Sequence, residues 1–530
     1  MLLLIASLRL SAQTNGNLPA ALQPSSSSIY GRVINAVTGG PVPRALIQSN
    51  DSGQLTDNEG RFRFEGLSLA GASGGGSIAV RVNKPGYYGD LDGSPMLTRT
   101  LSVTQASGDI TLRLYPEAVI SGTVTTSDGR PVSHLLVMAR RNTYSVTSNQ
   151  WLPVGQHQTN ARGEFRLTVP SGDYRVETGY FPQFEGGSRC VLPTIYPQRG
   201  PSGADSPLHI TAGTEQRIDL RVTASPTYPV EVHVEPQSEN GMPPMMIARS
   251  ASGISIPVGV ARSSPGVQPR IELPLGTYTL VLHNDSREIR QYAETAVTVT
   301  GPATAPVTLR LVPVPSIPLE LTVDSAATSD NKPPTPQQFG LVLVPADPES
   351  SGGIRSVAGG PRGISQGAED QAVNLSATPG IYRLVSLSGG RWYLRSASYG
   401  GTDLLQHELV IGSGASSTPL HLTVSDQTGS ATGTVRVNGT PAAAWIYCVP
   451  LGPSSTPVYT IRSSATGTFN FPYLPPGSYR AIAFENSHQD DYRSSERLAQ
   501  LASWTRSFSV TAGNKSTVDL DAVPIGELTR

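Results

Sequence analysis

Asp57, Asn58 and Glu59 run into Gly60 within TDNEGRFRFEGL, Thr56 to Leu67. Side chains of these types suit three chemistries: oxygen ligands for calcium, a carboxylate pair for acid–base work, or a tight turn whose polar groups cap their own backbone. The chain itself discriminates, because the stretch recurs as TNARGEFRL, Thr159 to Leu167, and as SATGTFNF, Ser464 to Phe471. Aligned on Gly60, Gly163 and Gly467, the copies keep an aromatic two places on, Phe62, Phe165 and Phe469. The acids are not kept: Asp57 meets Asn160 and Ser464, and Glu59 meets Arg162 and Thr466. A turn glycine followed by a strand with Phe62 and Phe64 inward and Arg61 and Arg63 outward describes a hairpin.

Other reactive-looking residues reduce in the same way. None of the 8 histidines begins an H-x-x-E or H-x-x-x-H pair, so zinc hydrolysis has no ligand set. Ser73 in GASGG matches a nucleophile elbow, but the GGSIAVRV that follows reads as a strand where that motif needs a helix. Asp90 and Asp92 precede Gly93, yet Leu101 stands where an EF-hand requires its bidentate Glu, which leaves a surface turn. His488, Asp490, Asp491 and Glu496 lie ahead of Leu498, Leu501 and Trp504 at near-helical spacing, which predicts an acid-capped short helix docked on its module. Cys190 and Cys448 are too few and too far apart for a disulfide framework and read as small buried hydrophobes. No catalytic residue, metal or cofactor is expected.

Aromatic residues are the remaining candidates, since flat rings can stack on sugars. Trp392, Tyr393 and Tyr399 in GGRWYLRSASYGG, and Tyr180, Phe181 and Phe184 in GYFPQFEGG, are candidate platforms. Strand alternation sends Trp392 and Tyr393 to opposite faces, so one of them belongs to a core. Tyr174, Tyr278, Tyr382 and Tyr479 recur two places after a glycine and are expected to be structural, in tyrosine-corner fashion.

The elements that must position these residues are strands. With 54 Gly, 45 Pro and 15% charged residues against 38% hydrophobic ones, the composition favours short strands and many turns, an all-β class. At 530 residues one core is too few, because cores stop growing near roughly 250–300 residues. A net charge of -1 supplies no basic stripe for nucleic acid or an anionic membrane. The glycines Gly172, Gly276, Gly380 and Gly477 of the Gly-x-Tyr phrase repeat at the span of one β-sandwich, and an alternating strand such as DITLRL or RIDLRV closes each unit. The expected organisation is a tandem array of five Ig-like or prealbumin-like β-sandwiches at 29–115, 116–224, 225–313, 314–425 and 426–525. Short proline-rich links such as LVPVPSIP predict an elongated monomer with restricted bending. Ahead of the array, MLLLIASLRLSAQ resembles a shortened signal peptide over 1–12, followed by a flexible tether over 13–28. No later segment approaches the roughly 18 apolar residues of a membrane span.

Module one carries IYGRVINAVTGGPVPRALIQ, then LTDNEGRFRFEGL and VNKPGYYG; module two opens with ISGTVTTSDGRPVSHLLVMAR, and module five with ATGTVRVNGTPAAAWIYCVPL. These modules resemble the carboxypeptidase regulatory-like domain, a transthyretin-like or prealbumin-like sandwich of secreted bacterial proteins. The resemblance implies a non-catalytic module with an accessory, adhesive or glycan-contacting role. The expectation is therefore an exported envelope scaffold, spacer or adhesion protein, secreted, periplasmic or at the cell surface. Two alternatives are a carbohydrate-binding protein using exposed aromatics, with a polysaccharide as partner, and an accessory subunit of a separately encoded hydrolase or transporter, with an envelope protein as partner.

Overall fold

The computed structural model describes residues 26–49, 52–68, 77–102, 109–145, 148–184, 189–197, 207–236, 245–250, 255–258, 270–285, 290–325, 333–334, 339–346, 355–356, 374–387, 390–414, 416–452, 456–488 and 490–524. The leader, most of the tether and Ser73 lie outside the described residues. The fold is all-β, a tandem array of sandwiches, each closed by two sheets around its own apolar cluster.

One connectivity recurs in all five. The first strand of a module pairs antiparallel with its fourth, or in module five its fifth, and parallel with a strand at the module's end. In module one, Ser26–Asn35 pairs with Arg61–Ser68 and with Asp109–Pro116. In module three, Ala224–Glu235 pairs with Arg270–Pro274 and Val307–Arg310. In modules one to four the second, third and fifth strands and a later one form the facing sheet, as Leu46–Ser49, Ser52–Leu55, Ser77–Asn83 and Leu97–Ser102 do in module one. Period-two alternation drives this pairing of faces: Ala118–Thr126 buries every second residue, and Glu164–Val169 does the same opposite it.

The recurring glycines are forced by close backbone approach. Gly31, Gly122 and Gly433, each opening a Gly-x-Val, lie where the parallel last strand passes: an added Cβ would sit 2.1, 1.6 and 1.7 Å from the carbonyl oxygens of Ile110, Ile218 and Val518. The inward aromatic of the antiparallel partner strand pairs with this glycine, Phe62 with Gly31, Phe165 with Gly122 and Phe469 with Gly433. The ring covers the surface a side chain would otherwise occupy. Gly-x-Val and Gly-x-Phe are thus two halves of one packing unit.

The acid-rich stretch is the hairpin turn. Asp57 Oδ1 accepts the N–H groups of Glu59 and Arg61 at 3.0 and 2.7 Å, and Asn160 Oδ1 accepts those of Arg162 and Glu164 at 2.9 and 3.0 Å. Ser464 Oγ accepts the Thr468 N–H at 3.1 Å. Gly60, Gly163 and Gly467 hold φ of 73°, 74° and 78°, the left-handed region that favours glycine. The residue before each turn, Thr56, Thr159 or Ser463, is buried and donates its hydroxyl to Val42, Val132 or Ala442.

The tyrosines after the Gly-x-Tyr glycines are likewise tied to the backbone. Tyr174, Tyr382 and Tyr479 donate their hydroxyls to the carbonyl four residues upstream at 2.7, 2.9 and 2.6 Å, and Tyr278 donates to Leu275 at 3.4 Å.

The array is not elongated, which corrects the expectation from its links. Module five returns onto module one: Arg99 pairs with Glu485, and Arg462 Nη2 donates to the Thr98 carbonyl at 3.1 Å. Modules two and one are joined by Arg141, which donates to the carbonyls of Leu91 and Asp92 at 2.9 Å each. Arg189–Val191 of module two pairs with Ala224–Pro226, so modules two and three share a sheet. Module five also carries a second cover of its own. Trp445–Pro450 and Gly477–Phe484 are buried on both faces, the outer one against Tyr492, Leu501 and Val523. A sheet with two apolar faces must be covered twice.

Candidate functional site

His488, Asp490, Glu485, Arg99 and Arg141 come together where modules one, two and five meet. The segment that enters this junction leaves the strand Gly477–Phe484 and leads to the helix Ser495–Gln500. Ser494 caps the helix by accepting from the Arg497 N–H, Glu496 sits in its first turn, and Leu501 is buried beyond it. Asp490 does not cap the helix; it takes the Arg497 guanidinium.

His488 stands at the centre. Its ring stacks on Phe484 with centroids 4.6 Å apart, and its Nδ1 lies 2.8 Å from the Tyr492 hydroxyl. That hydroxyl donates to the His488 carbonyl at 2.6 Å, and the His488 N–H donates to the Tyr447 hydroxyl at 2.9 Å. Burial holds the imidazole down to about 4 against the opposing pull of Asp490, with Arg497 and Arg141 adding to the depression. The ring is neutral at pH 7, and one of its nitrogens is committed to Tyr492.

Around it the charges are committed as well. Glu485 meets Arg99 with both side chains less than a fifth exposed. Asp90 accepts the Ser94 N–H at 2.8 Å, and burial raises its pKa. The Asp90 to Gly93 segment is thus an interface turn held by Arg141, not the surface turn expected of it. Burial also raises the thiol pKa values of Cys190 and Cys448, which keeps both protonated and unreactive. No group of three or more metal-ligating side chains occurs among the described residues. The junction's acids are already engaged by Arg99, Arg497 and the Ser94 N–H, and its histidine by Tyr492.

Two clefts flank His488. One, of about 830 Å³, lies between modules one, two and five, with Arg113, Arg141, Asp173, Glu485 and Glu496 in its walls. The other, of about 650 Å³, is walled by Trp445, Tyr459, Tyr473 and Phe471 of module five, with Tyr144 and Leu152 from module two and Leu387 from module four.

The six candidate platform residues are elsewhere and are not brought together. Trp392 is 9% exposed in the core of module four, and Tyr399 packs against that core with its hydroxyl 2.8 Å from Ser416 Oγ. Tyr393 is half-buried on the strand Tyr393–Tyr399, which pairs with Leu420–Ser425. Phe181 and Phe184 pack against the core of module two, and Tyr180 against that of module three. The sequence reading passed over Trp445, Tyr459 and Tyr473. The signal for Trp445 was the unbroken apolar run WIYCVP and for Tyr473 the aromatic of FPYL, which depart from strict alternation.

A scan against protein-family models matches none, and no curated protein matches the chain. Among solved structures, the TIE protein of Bacillus anthracis aligns over 93% of this chain and 68% of its own at 11% identity, with a TM-score of 0.16. The RrgB pilus protein of Streptococcus pneumoniae aligns over 77% and 98% at 8% identity and a TM-score of 0.16. The minor pilin GBS52 of Streptococcus agalactiae aligns over 38% and 97% at 12% identity and 0.20. At such scores neither arrangement nor role carries across.

Proposed function

We propose that this chain is a non-catalytic scaffold or adhesion element of a bacterial envelope, exported and built of carboxypeptidase regulatory-like modules at 29–115, 116–224, 225–313, 314–425 and 426–525. One observation carries the reading. Where modules one, two and five meet, Glu485 is spent on Arg99 of module one and Arg141 on the Leu91 and Asp92 carbonyls, while His488 and Asp490 are held by Tyr492 and Arg497 within module five. A group held by a neighbour in its resting geometry serves rigidity, and a closed array presents its outer surfaces in fixed relation. The sequence motifs shared by modules one, two and five support the family assignment.

The reading is tested with the purified chain in two assays run side by side. Incubation with peptidoglycan, polysaccharides and peptides should release no product, while beads coated with the chain should retain envelope fragments. Release of product by the chain, lost when His488 is replaced, would overturn the scaffold reading in favour of an enzyme.

A further inference from the structure

The cleft of about 650 Å³ has a chemistry that the docking role leaves unused. Its size falls within the range of small-ligand sites. Trp445, Tyr459 and Tyr473 are half-buried there, each with part of its surface open. Two of them have a cation over the ring. Arg462 stands 6.0 Å from the Trp445 centroid, and Arg391 stands 5.1 Å from that of Tyr473 while donating to its hydroxyl at 3.2 Å. An arginine over a ring fixes the ring's orientation at low cost. Leu152 and Leu387, 40% and 47% exposed, complete the rim from modules two and four.

Polar groups lie at one end of this aromatic wall. Ser487, Asp490 and Thr460 line the cleft, and the Tyr144 hydroxyl stands in its wall with no hydrogen-bond partner. A purely apolar occupant would leave the Tyr144 hydroxyl unsatisfied. A proline-rich peptide would stack on the rings, but its backbone lacks the N–H donors that the unpartnered Tyr144 hydroxyl can accept. A pyranose provides both parts, with C–H faces for the rings and hydroxyls that donate and accept. Among the described lining residues Asp490 alone carries a charge, and Arg497 pairs with it, so the complementary ligand carries no net charge.

We infer that this cleft binds a neutral oligosaccharide, with its sugar rings against Trp445, Tyr459 and Tyr473. The inference rests on the adhesion reading and names the class of its ligand. Because the walls come from modules two, four and five, the site is complete only while the array is closed. Ligand and closure therefore stabilise each other.

The test is titration of the full chain with soluble neutral oligosaccharides of glucose, xylose and N-acetylglucosamine, followed by tryptophan fluorescence and calorimetry. One of them should bind saturably, and the fluorescence change should vanish in Trp445→Phe. Tyr473→Ala, at the rim, should weaken binding about tenfold with an unchanged melting temperature, in line with the loss of one ring contact. Tyr30→Ala, an exposed aromatic on module one, should bind as the parent does. Binding that persists unchanged in Tyr473→Ala and Trp445→Phe would overturn the site while leaving adhesion to sugars intact. Silence towards every sugar, or saturable binding of a proline-rich peptide in their place, would overturn the ligand class. Neither result would restore catalysis, which the product assay judges separately.

Discussion

The turn Thr56 to Arg61 and the segment Glu485 to Arg497, which leads into a helix, are both acid-rich, and they use their acids in opposite ways. Asp57 accepts two N–H groups of its own turn. Glu485 reaches Arg99 on another module, and Asp490 fixes the helix start beside a buried histidine. The first loop is repeated in three modules and shapes each one from within; the second occurs once and sets one module against another. A residue that recurs with the repeat builds the module, whereas a residue that breaks the repeat builds the assembly.

Substitutions within the repeat should break modules. Gly122→Ala would place a methyl group 1.6 Å from the Ile218 carbonyl oxygen, which backbone shifts alone can relieve. It should destabilise module two by about 4 kcal/mol or more, read as the loss of one transition in denaturant unfolding. Phe165→Ala, which empties the space over the same glycine, should cost about 3–5 kcal/mol.

Substitutions at the junction should open the array and leave the sandwiches folded. Glu485→Ala strands Arg99 at a mostly buried seam and should cost about 2–3 kcal/mol of docking. Small-angle scattering should then show a longer particle while circular dichroism stays unchanged.

Acid should act at the same place. His488 titrates at about 4 in the folded chain and near 6.5 when exposed, so between these values the opened state binds the extra proton. Stability is therefore fully present above about pH 6.5 and is lost as pH falls towards 4, by roughly 3 kcal/mol. Asp90, whose pKa burial raises, is protonated earlier in the closed form and softens the loss. Glu485, Asp490, Asp92, Arg141, Arg497, Tyr447 and Tyr492 surround the ring and set the background of this titration. Scattering across the interval should show the array lengthening before any module melts.

The smallest effect belongs to Asp57→Asn. Asn160 already performs the same turn in module two, so the change should stay within about 0.5 kcal/mol by thermal melting. A larger loss would mean that the charge of Asp57, and not its hydrogen bonds, matters.

Much of each module was legible in the chain. Phe62 and Phe64 alternate with Arg61 and Arg63 as a half-buried strand must, and Gly60, Gly163 and Gly467 mark a turn whose φ a side chain resists. The junction was not legible, because periodicity reports which face of a strand is buried and never what covers it. Asp90 and Asp92 read as a surface turn since their partner, Arg141, lies in another module. Tyr180, Phe181 and Phe184 read as exposed aromatics because their strand crosses to the sheet of module three. The one signal left in plain sight was Trp445–Pro450, too uniformly apolar for a strand with a wet face.

The most direct test of the central claim, that module five closes onto modules one and two, is small-angle scattering from the intact chain at neutral pH, with Glu485→Ala beside it. The closed array predicts a maximum dimension far shorter than five sandwiches end to end, and a clear lengthening in the variant. A parent chain that already scatters as a string, unchanged by the substitution, would contradict it.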